Sequence, residues 1–413
     1  MHITFLLSQG PKGAGFIGRY FPLAKELVKL GYQIRLLAPH SAFDTLAAHH
    51  FWQDGVELFY VGQMHVRKSG SRKTYLSQPE LLQVAAATTW RMFRLAASLP
   101  TDAYQICKAQ PINGLAALLA RCLRPRPIFV DSDDYETEFN RYSAAWQRRV
   151  VAGFEKTLPR LARGVTAQTR FNVARNVSYG VPAERALYAP NGVDRERFAG
   201  VTETDAQALR RGLNLDGCKV VLYVGSLSLT SHPLDLLLSA FAQVRRRESA
   251  ARLLLVGGGE DYDTLRTGVE EMGLANSVRF SGRVAPERVP LYFKAADVSV
   301  EPVRDDLTAR ARSPLKVFES MAAGTPVVAG DVGERREILG GAGVLVAPGD
   351  AGALAAGLLA VLQDRDARQR MAQAAKIGRE RYYWDVLARD FERVYHGLPS
   401  SASSPGATRE RRQ

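Results

Sequence analysis

Residues 313–330, SPLKVFESMAAGTPVVAG, predict a helix followed at once by a short buried strand. Ser313 has the side chain of an N-cap and Pro314 suits the first helical position, so we expect the helix to begin there. Apolar residues then recur at helical spacing and are expected to face a core: Leu315, Phe318, Met321 and Ala322. The β-branched run at 326–329 predicts the strand.

The charged residues of this segment predict an anion site beside a carboxylate. Three cations crowd the start of the helix, where the helix dipole is already positive: Arg310, Arg312 and Lys316. Such crowding is unfavourable unless an anion such as phosphate binds there. Glu319 shares a helix edge with Lys316 and would accept hydrogen bonds from ligand hydroxyls. A phosphorylated sugar or a nucleotide meets both demands, although a solvated charged face is an equally good explanation of these residues alone.

Alternation of strands and helices along the chain predicts two α/β domains. Strands of the first half are predicted at 3–8, 33–38, 56–61, 104–107 and 127–131, and helices at 15–30 and 79–98. Strands of the second half are predicted at 219–225, 252–257, 278–281, 298–302 and 326–329. Each domain should therefore be a doubly wound, Rossmann-like parallel sheet, and the carboxyl ends of the two sheets should face each other across a ligand-binding cleft.

Composition and charge limit the function further. The 413-residue chain has a net charge of +13, which favours phosphorylated substrates or anionic lipid headgroups. No motif with interleaved aromatics points to nucleic acid. Three scattered cysteines without a Cys-x-x-Cys pair argue against a disulfide framework or a zinc site. The longest apolar run, 114–123, is too short to span a membrane, and the first residues lack secretory features, so we expect a cytoplasmic location.

Six stretches of the second half, in order, resemble the retaining glycosyltransferases of family 4, which have the two-domain GT-B fold. They are APNGVDRERF (189–198), YVGSLSLTSHPLDLLLSAF (223–241), LLLVGGGEDYDTL (253–265), VRFSGRV (278–284), YFKAADVSVEP (292–302) and the segment at 313–330. The resemblance divides the chain into a domain at 1–185 and a donor-binding domain at 186–383. WDVLARDFERVY is similar to the family's closing helix, so 384–398 should return to the first domain, and the polar residues 399–413 should be disordered.

The resemblance also implies roles for individual residues. Glu319 would bind the ribose of a nucleotide-sugar donor. The diphosphate would meet Ser313, Leu315, Lys316, Gly225 and Ser226, and the base would meet Gly282, Arg283 and Val284. The family needs no metal and no further cofactor, because helix dipoles and cations stabilise the departing diphosphate.

One departure from the family pattern concerns the acid near the donor sugar. Family members usually have two glutamates eight positions apart, but Ala311 stands eight residues before Glu319. The neighbouring acids are Asp305 and Asp306. The acid that would act near the sugar is therefore unassigned by the sequence.

A second departure concerns two diphosphate-binding cations. The family's arginine after the first strand of the second domain is here Ser226, and its following lysine is here Ser231 or His232. Replacement cations are available nearby: Arg310, Arg312 and Lys316. Loss of activity is the alternative explanation, and it would leave a non-catalytic glycan- or lipid-binding protein on the same scaffold.

The acidic stretch FVDSDDYE (129–136) resembles the family more weakly. Asp133 stands where many members carry a histidine near the sugar, and it would contact sugar hydroxyls or position the acceptor. Asp131 and Asp134 flank it, and mutual repulsion in such clusters often marks a site with shifted pKa values. Lys108, after the strand at 104–107, should lie at the same edge and offset the acids. Helix capping and solvated loop charges are the alternative.

The glycine-rich residues 10–18, GPKGAGFIG, permit two interpretations. Gly13 and Gly15 match the family's glycine loop, where the backbone approaches a phosphate or an acceptor. The same stretch also resembles the loop of NAD-dependent short-chain dehydrogenases that act on sugar nucleotides, and Tyr104 and Lys108 have their Tyr-x-x-x-Lys spacing. Against this, the second strand ends without the acid that binds the ribose of NAD.

Residues 65–73, HVRKSGSRK, followed by the helix at 79–98, suggest a contact with an anionic membrane surface or acceptor. An ordinary loop and core helix would have the same pattern.

Taken together, the sequence predicts a retaining glycosyltransferase that moves a sugar from a nucleoside-diphosphate-sugar to a glycan or lipid-linked acceptor at the inner membrane face. The donor base, the sugar and the acceptor are not specified by these residues.

Overall fold

The computed structural model describes residues 1–11, 13–69, 72–140 and 142–397, with the side chains of 67–69 and 72–75 outside that description. Its first half contains ten strands: β1 (His2–Leu7), β2 (Gln33–His40), β3 (His50–Gln53), β4 (Val56–Gln63), β5 (Val66–Ser69), β6 (Arg72–Tyr75), β7 (Ala103–Cys107), β8 (Ile128–Ser132), β9 (Gly164–Ala167) and β10 (Ala186–Tyr188). The five strands predicted in this half are confirmed, each within two residues.

Eight of these strands form one sheet in the order β10-β9-β8-β7-β1-β2-β4-β3. All neighbours are parallel except β3, which pairs antiparallel with β4 at the edge. The remaining two strands, β5 and β6, form a separate antiparallel pair. The short strands β3, β9 and β10 were not predicted, because four or fewer residues carry too little periodicity to recognise.

Helices cover both faces of this sheet. They are α1 (Phe21–Lys29), α2 (Gln78–Ser98), α3 (Pro111–Leu123), α4 (Glu136–Phe139), α5 (Ala145–Leu161) and α6 (Arg170–Ser178). A π-helical turn, Phe16–Tyr20, precedes α1 within the segment predicted as one helix. The longest helix, α2, begins at Ser77, where Glu80 accepts a hydrogen bond from the Ser77 backbone at 3.0 Å. Within the described ranges, no helix is both long and apolar enough to cross a bilayer.

A second parallel sheet follows in the order β13-β12-β11-β14-β15-β16. Its strands are β11 (Lys219–Val224), β12 (Ala251–Val256), β13 (Val278–Gly282), β14 (Val298–Glu301), β15 (Val327–Gly330) and β16 (Gly343–Val346). Its helices are α7 (Arg195–Ala199), α8 (Glu203–Gly212), α9 (Leu234–Arg247), α10 (Tyr262–Glu271), α11 (Val289–Lys294), α12 (Leu307–Arg310), α13 (Leu315–Ala323), α14 (Arg335–Leu339), α15 (Ala351–Gln363) and α16 (Arg365–Gly378), with α17 (Trp384–His396) after them. The predicted doubly wound architecture is confirmed.

Two segments connect the domains. Strand β10 pairs with β9, so the chain leaves the first sheet after Tyr188. Helix α17 then packs against the first domain, where its apolar residues join the core around β1: Trp384, Leu387, Phe391 and Tyr395. Trp384 Nε1 also donates a hydrogen bond to Gly18 O at 3.0 Å. Residues 399–413, expected to be disordered, lie outside the described residues.

Candidate active site

Helix α13 begins one residue later than expected. Pro314 is its N-cap, and Ser313 forms no side-chain cap. Instead Ser313 Oγ accepts a hydrogen bond from Asn191 N at 3.2 Å, and Ser313 O accepts one from Asn191 Nδ2 at 2.7 Å. Because Asn191 belongs to the segment that connects the two domains, Ser313 ties the start of α13 to that connection rather than capping the helix.

The apolar face predicted for α13 is confirmed except at its first residue. Phe318, Met321 and Ala322 are buried in the core of the second domain. Leu315 is only partly buried, and its side chain packs against the first domain, where a Cβ at Gly18 would come within 2.4 Å of Leu315 Cδ1. Gly18 therefore allows the two domains to approach each other at the start of this helix.

Lys316 is the central cation of the site. Its Nζ lies 4.5 Å from the centre of the Tyr223 ring, and a Cβ at Gly225 would lie 3.5 Å from its Cε. No carboxylate pairs with Lys316 among the residues that the structure describes. Burial lowers the pKa of Lys316 to about 8, and the opposing effect of Glu301 is smaller. An anion bound here would stabilise the charged lysine.

Arg312 lies beside Lys316, and its side chain reaches the first domain. Its guanidinium donates to Ser231 O at 3.1 Å and lies 5.3 Å from the centre of the Phe139 ring. Burial, together with the charges of Lys316 and Arg312, holds the pKa of His232 well below its usual value. The imidazole of His232 is therefore neutral at pH 7, and the two cations are the charged groups of this cluster.

Arg310 lies outside the cluster to which the sequence analysis assigned it. It donates to Asp305 at 2.7 and 2.9 Å in an exposed ion pair. Asp306 accepts a hydrogen bond from Ala309 N at 2.7 Å and caps α12. The two acids that precede Ala311 are thus engaged in local structure, and the charge of Arg310 is paired at the surface.

Glu319 lies one turn after Lys316 and has its own cationic partner. Its Oε1 accepts a hydrogen bond from Arg197 Nη2 at 3.3 Å. Burial raises the pKa of Glu319, and Arg197 opposes the rise. Arg197 Nε is buried without a hydrogen-bond partner among the described residues. The sequence analysis assigns no role to Arg197, because only the folded chain brings α7 beside α13.

A buried ion pair rigidifies the loops around Lys316. Glu301, at the end of β14, accepts hydrogen bonds from Arg335 Nε and Nη2 at 2.6 and 2.9 Å. Arg335 also donates to Ala309 O at 3.2 Å and Val332 O at 2.8 Å. Because a buried charge is costly without its partner, the pair holds these loops in one arrangement. Neither residue was singled out from the sequence.

Lys108 forms one ion cluster with three acids of the first domain, so its predicted position beside Asp133 and Asp134 is confirmed. Lys108 Nζ lies 3.1 Å from Asp133 Oδ2, 2.5 Å from Asp134 Oδ2 and 3.2 Å from Glu136 Oε1. Lys108 has a φ of 67°, a strained conformation for a non-glycine residue. Asn113 Nδ2 supports it by donating to Lys108 O at 2.9 Å. Within the described ranges, no group of side chains is placed to hold a metal ion.

The acids in this cluster titrate differently. Burial raises the pKa of Asp133 to about 6, and Asp134 adds to the rise while Lys108 opposes it. For Asp134 burial acts in the same direction, but Lys108 and Arg312 outweigh it and lower its pKa. Asp133 is therefore the carboxylate most easily protonated near neutral pH, as expected of a residue at a functional site.

Asp131 is separate from this cluster, although the sequence places it with the other acids. Its carboxylate accepts hydrogen bonds from Arg19 Nη2 and Nε at 2.6 and 2.7 Å and from Thr166 Oγ1 at 2.6 Å. Arg19 also donates to Ala189 O and Pro190 O, both at 3.1 Å. Asp131 thus holds Arg19 against the connection between the domains, which is a structural role.

The side chain of Gln9 packs against the glycines of the loop at 10–18. A Cβ at Gly13 would lie 2.6 Å from Gln9 Oε1, and a Cβ at Gly15 would lie 2.2 Å from Gln9 Nε2 and 3.3 Å from Asp133 Oδ2. Gln9 Nε2 is buried and lacks a hydrogen-bond partner within the described part of the chain. The two glycines therefore make room for an amide beside Asp133, and this amide is free to bind a ligand.

Two buried amides of the first domain join the acid cluster to the start of α13. Asn172 Nδ2 donates to Asp133 O at 3.0 Å and to Ala311 O at 3.1 Å. Gln168 Nε2 donates to Asp134 Oδ1 at 3.3 Å and to Ala311 O at 3.4 Å. The carbonyl of Ala311, where the family has a glutamate, thus binds the domains together.

The cleft also contains a cavity of about 350 Å³ next to these groups. Its first-domain wall is formed by residues 138–140, and its second-domain wall by the loops 229–233 and 302–304 together with Arg312. The predicted base-binding residues lie at the end of β13, where Gly282 has a φ of 67°. Ser281 Oγ, just before it, is buried without a hydrogen-bond partner in the described residues.

Comparisons with protein families agree with this two-domain cleft. Residues 18–192 match the model of the glycosyl transferase 4-like domain, and residues 218–364 match that of glycosyl transferases group 1. A GDP-mannose-dependent alpha-(1-6)-phosphatidylinositol monomannoside mannosyltransferase of Mycobacterium tuberculosis is 31% identical over 286 residues, which are 67% of this chain and 72% of the relative. A phosphatidyl-myo-inositol mannosyltransferase of that organism is 35% identical over 224 residues, which are 53% and 56% of the two chains.

Solved structures share the fold. Sucrose-phosphate synthase from Thermosynechococcus elongatus has a TM-score of 0.78 and 21% identity, covering 96% of this chain and 98% of its own. Anabaena HepE in complex with UDP-glucose has a TM-score of 0.71 and 22% identity, covering 96% and 100%. In addition, Tyr104 lies on a strand and Lys108 just after it, not on one helix as the dehydrogenase interpretation requires. The chain therefore belongs to the glycosyl transferases group 1 family and is a glycosyltransferase with the GT-B fold.

Proposed function

We propose that the chain transfers a hexose, with retention of anomeric configuration, from a nucleoside-diphosphate-hexose to a glycan or lipid-linked acceptor. The observation that carries this proposal is the pair of cations Lys316 and Arg312, neither of which has a carboxylate partner among the described residues. They stand at the start of α13, where the helix dipole also favours an anion. A diphosphate bound there would have its negative charge stabilised as it departs, without a metal ion.

The nucleoside would bind along the second domain. Glu319 would accept hydrogen bonds from the ribose hydroxyls, with Arg197 Nε available beside it. The base would lie at the end of β13, against residues 282–284, where Ser281 Oγ offers an unused hydrogen-bonding group. Gly225 and Ser226 would border the diphosphate without supplying charge. The two cations of the cluster would then replace those that the family places in this region.

The sugar would point from the diphosphate toward the first domain. There Asp133 and the amide of Gln9 would contact its hydroxyls, while Lys108 holds Asp133 in place. The cavity beside Phe139 and Arg312 has room for an acceptor group. Catalysis would come chiefly from positioning both substrates and stabilising the leaving diphosphate.

The names of the relatives support GDP-mannose as the first donor to test. We expect turnover of one donor in a panel of GDP-mannose, UDP-glucose and ADP-glucose, offered with phosphatidylinositol-containing vesicles, and we expect EDTA to leave the rate unchanged. The measurement is release of the nucleoside diphosphate. Titration of GDP, UDP and ADP should identify the same base. If no donor is turned over and no nucleotide binds, the non-catalytic interpretation is favoured over this proposal.

Asp133 should give the reaction an acid limb near pH 6. Its pKa is raised to about 6, so kcat/KM should fall about tenfold per pH unit below that value as the carboxylate becomes protonated. The Asp133→Asn variant should be slower and should lack this limb. A wild-type profile that is flat between pH 5 and 7 would contradict the assignment.

The Asp133→Asn variant should lose activity but gain stability. Because the folded-state pKa of Asp133 lies above the ordinary value, folding disfavours the carboxylate, and this costs stability as pH rises through about 6. Asp133→Asn should therefore raise the free energy of unfolding at pH 7 by about 1–3 kcal/mol. A variant that is slower but more stable would mark Asp133 as functional rather than structural.

The membrane contact remains a prediction. The basic side chains of residues 65–73 that suggested it lie largely outside the described residues. On the neighbouring helix α2, Trp90 and Leu82 are exposed, with relative exposures of 57% and 55%. Such residues at a surface suit an anionic membrane interface and a lipid-linked acceptor.

A further inference from the structure

A second cavity lies on the opposite side of the first domain from the cleft. It has a volume of about 900 Å³ and opens at the amino ends of β8, β9 and β10, between the ends of α3, α5 and α17. This volume is in the range of sites that bind small molecules. Since the reaction takes place at the carboxyl ends of the strands, the cavity is not part of the candidate active site.

Arginines dominate the wall of this cavity. Five arginines line it: Arg121, Arg160, Arg163, Arg185 and Arg393. A single carboxylate, that of Glu184, lies among them. The lining charge is therefore five minus one, or +4. In the described part of the chain, the first four of these arginines form no ion pair. Arg121, Arg160, Arg163 and Arg185 are exposed, so solvent screens their mutual repulsion, and a bound anion would relieve what remains of it.

The rest of the wall is apolar. Ile128, Leu161, Leu187 and Val394 contribute to it, so the cavity is lined by apolar side chains as well as by guanidinium groups. Arginine forks bind phosphate oxygens in a bidentate manner, and the apolar side chains would contact the carbon frame that carries the phosphate. The wall therefore matches a phosphomonoester better than a free inorganic ion.

Gly397 lies at the rim, and residues 398–413, which follow it, contain three arginines and one glutamate. Their side-chain charge has the same sign as that of the wall. The cavity accounts for part of the chain's net charge of +13.

We propose that this cavity is a second, non-catalytic binding site for a phosphate-bearing ligand. The bound anion would bridge Arg163 and Arg185, near the amino ends of β9 and β10, beside the end of α17. Because α17 follows the second domain and packs on the first, the ligand would strengthen the attachment between them. The site does not depend on the identity of the sugar donor.

Calorimetric titration with inorganic tripolyphosphate tests the site in the full-length protein. The probe should also bind the cations of the cleft, so each measurement is repeated in the Lys316→Ala background. We expect the Arg163→Gln/Arg185→Gln variant to bind the probe about tenfold more weakly in that background. The matched control is Arg365→Gln/Arg370→Gln, which removes two exposed charges from α16 and should bind as the unsubstituted protein does. Equal affinity of the cavity variant, or an equal loss in the control, would overturn the proposal.

Two further arms identify the source of the phosphate. Soluble glycerol 3-phosphate is compared with vesicles of phosphatidylcholine containing phosphatidic acid, using the same cavity and control variants. Binding of the soluble ester alone indicates a metabolite, and binding of the vesicles alone indicates a lipid headgroup. If neither depends on Arg163 and Arg185, the cavity is not a phosphate site. Unchanged circular dichroism in the variants confirms that they fold.

Discussion

Replacing Lys316 with alanine should abolish measurable donor binding and reduce turnover by about 10²–10³-fold. Lys316 lies at the start of α13, and in the proposed donor site its ammonium group contacts the diphosphate. It forms no ion pair within the described residues, so its removal breaks none, and because burial disfavours its charged form, the melting temperature at pH 7 should not fall. Isothermal titration with the preferred nucleoside diphosphate measures the loss. Unchanged affinity would contradict the assignment of the donor site.

Arginine at the same position provides a sharper test. Because the pKa of Lys316 is lowered to about 8, the lysine loses its proton as pH rises above that value, and donor affinity should fall with it. Arginine stays charged, so the affinity of Lys316→Arg should be independent of pH between 7 and 9. Lys219→Ala is the matched control, because Lys219 lies at the amino end of β11 and pairs with Glu248. This control should bind donor normally.

Replacing Arg19 with methionine should have the largest effect on stability, about 3–5 kcal/mol. Arg19 is fully buried, with two hydrogen bonds to Asp131 and three to the segment that connects the domains. Without the guanidinium, Asp131 would be a buried charge with no ionic partner. Urea denaturation monitored by circular dichroism measures the change, and a loss below about 1 kcal/mol would show that the pair contributes little.

Two further variants separate the ion pair from simple loss of packing. The double variant Arg19→Met/Asp131→Leu removes both charges and should recover part of the lost stability, because no unpaired charge remains. Arg195→Met is the surface control, since Arg195 pairs with Glu380 and Asp385 in exposed positions. It should change stability by less than about 1 kcal/mol. Equal losses in the single and double variants would assign the effect to packing alone.

Much of the fold was predictable because its elements are locally encoded. The long helix α2 and the buried strand β11 have strong periodicity, and their bounds agree with the prediction to within one residue. The short strands β9 and β10 lack such periodicity and owe their conformation to the sheet that they extend.

Part of the site was also predictable, because its residues are close in sequence or follow neighbouring parallel strands. Lys316 and Glu319 share one helix, and Lys108 meets Asp133 because β7 and β8 are adjacent. The partners of these residues were not predictable. Arg197 contacts Glu319 although the two lie 122 residues apart in the sequence, and no periodic pattern links residues so far apart.

The sequence by itself determined the class of the protein: two doubly wound sheets, a cleft between them and membership in a glycosyltransferase family. These properties follow from local residue patterns and from motifs that occur in a fixed order along the chain. The tertiary structure alone determined how charges are paired. It placed Arg310 in a surface pair with Asp305, buried Asp131 with Arg19, and left Lys316 and Arg312 without carboxylate partners among the residues it describes. Pairing depends on distances between residues far apart in the chain, and those distances exist only once the two domains have packed together.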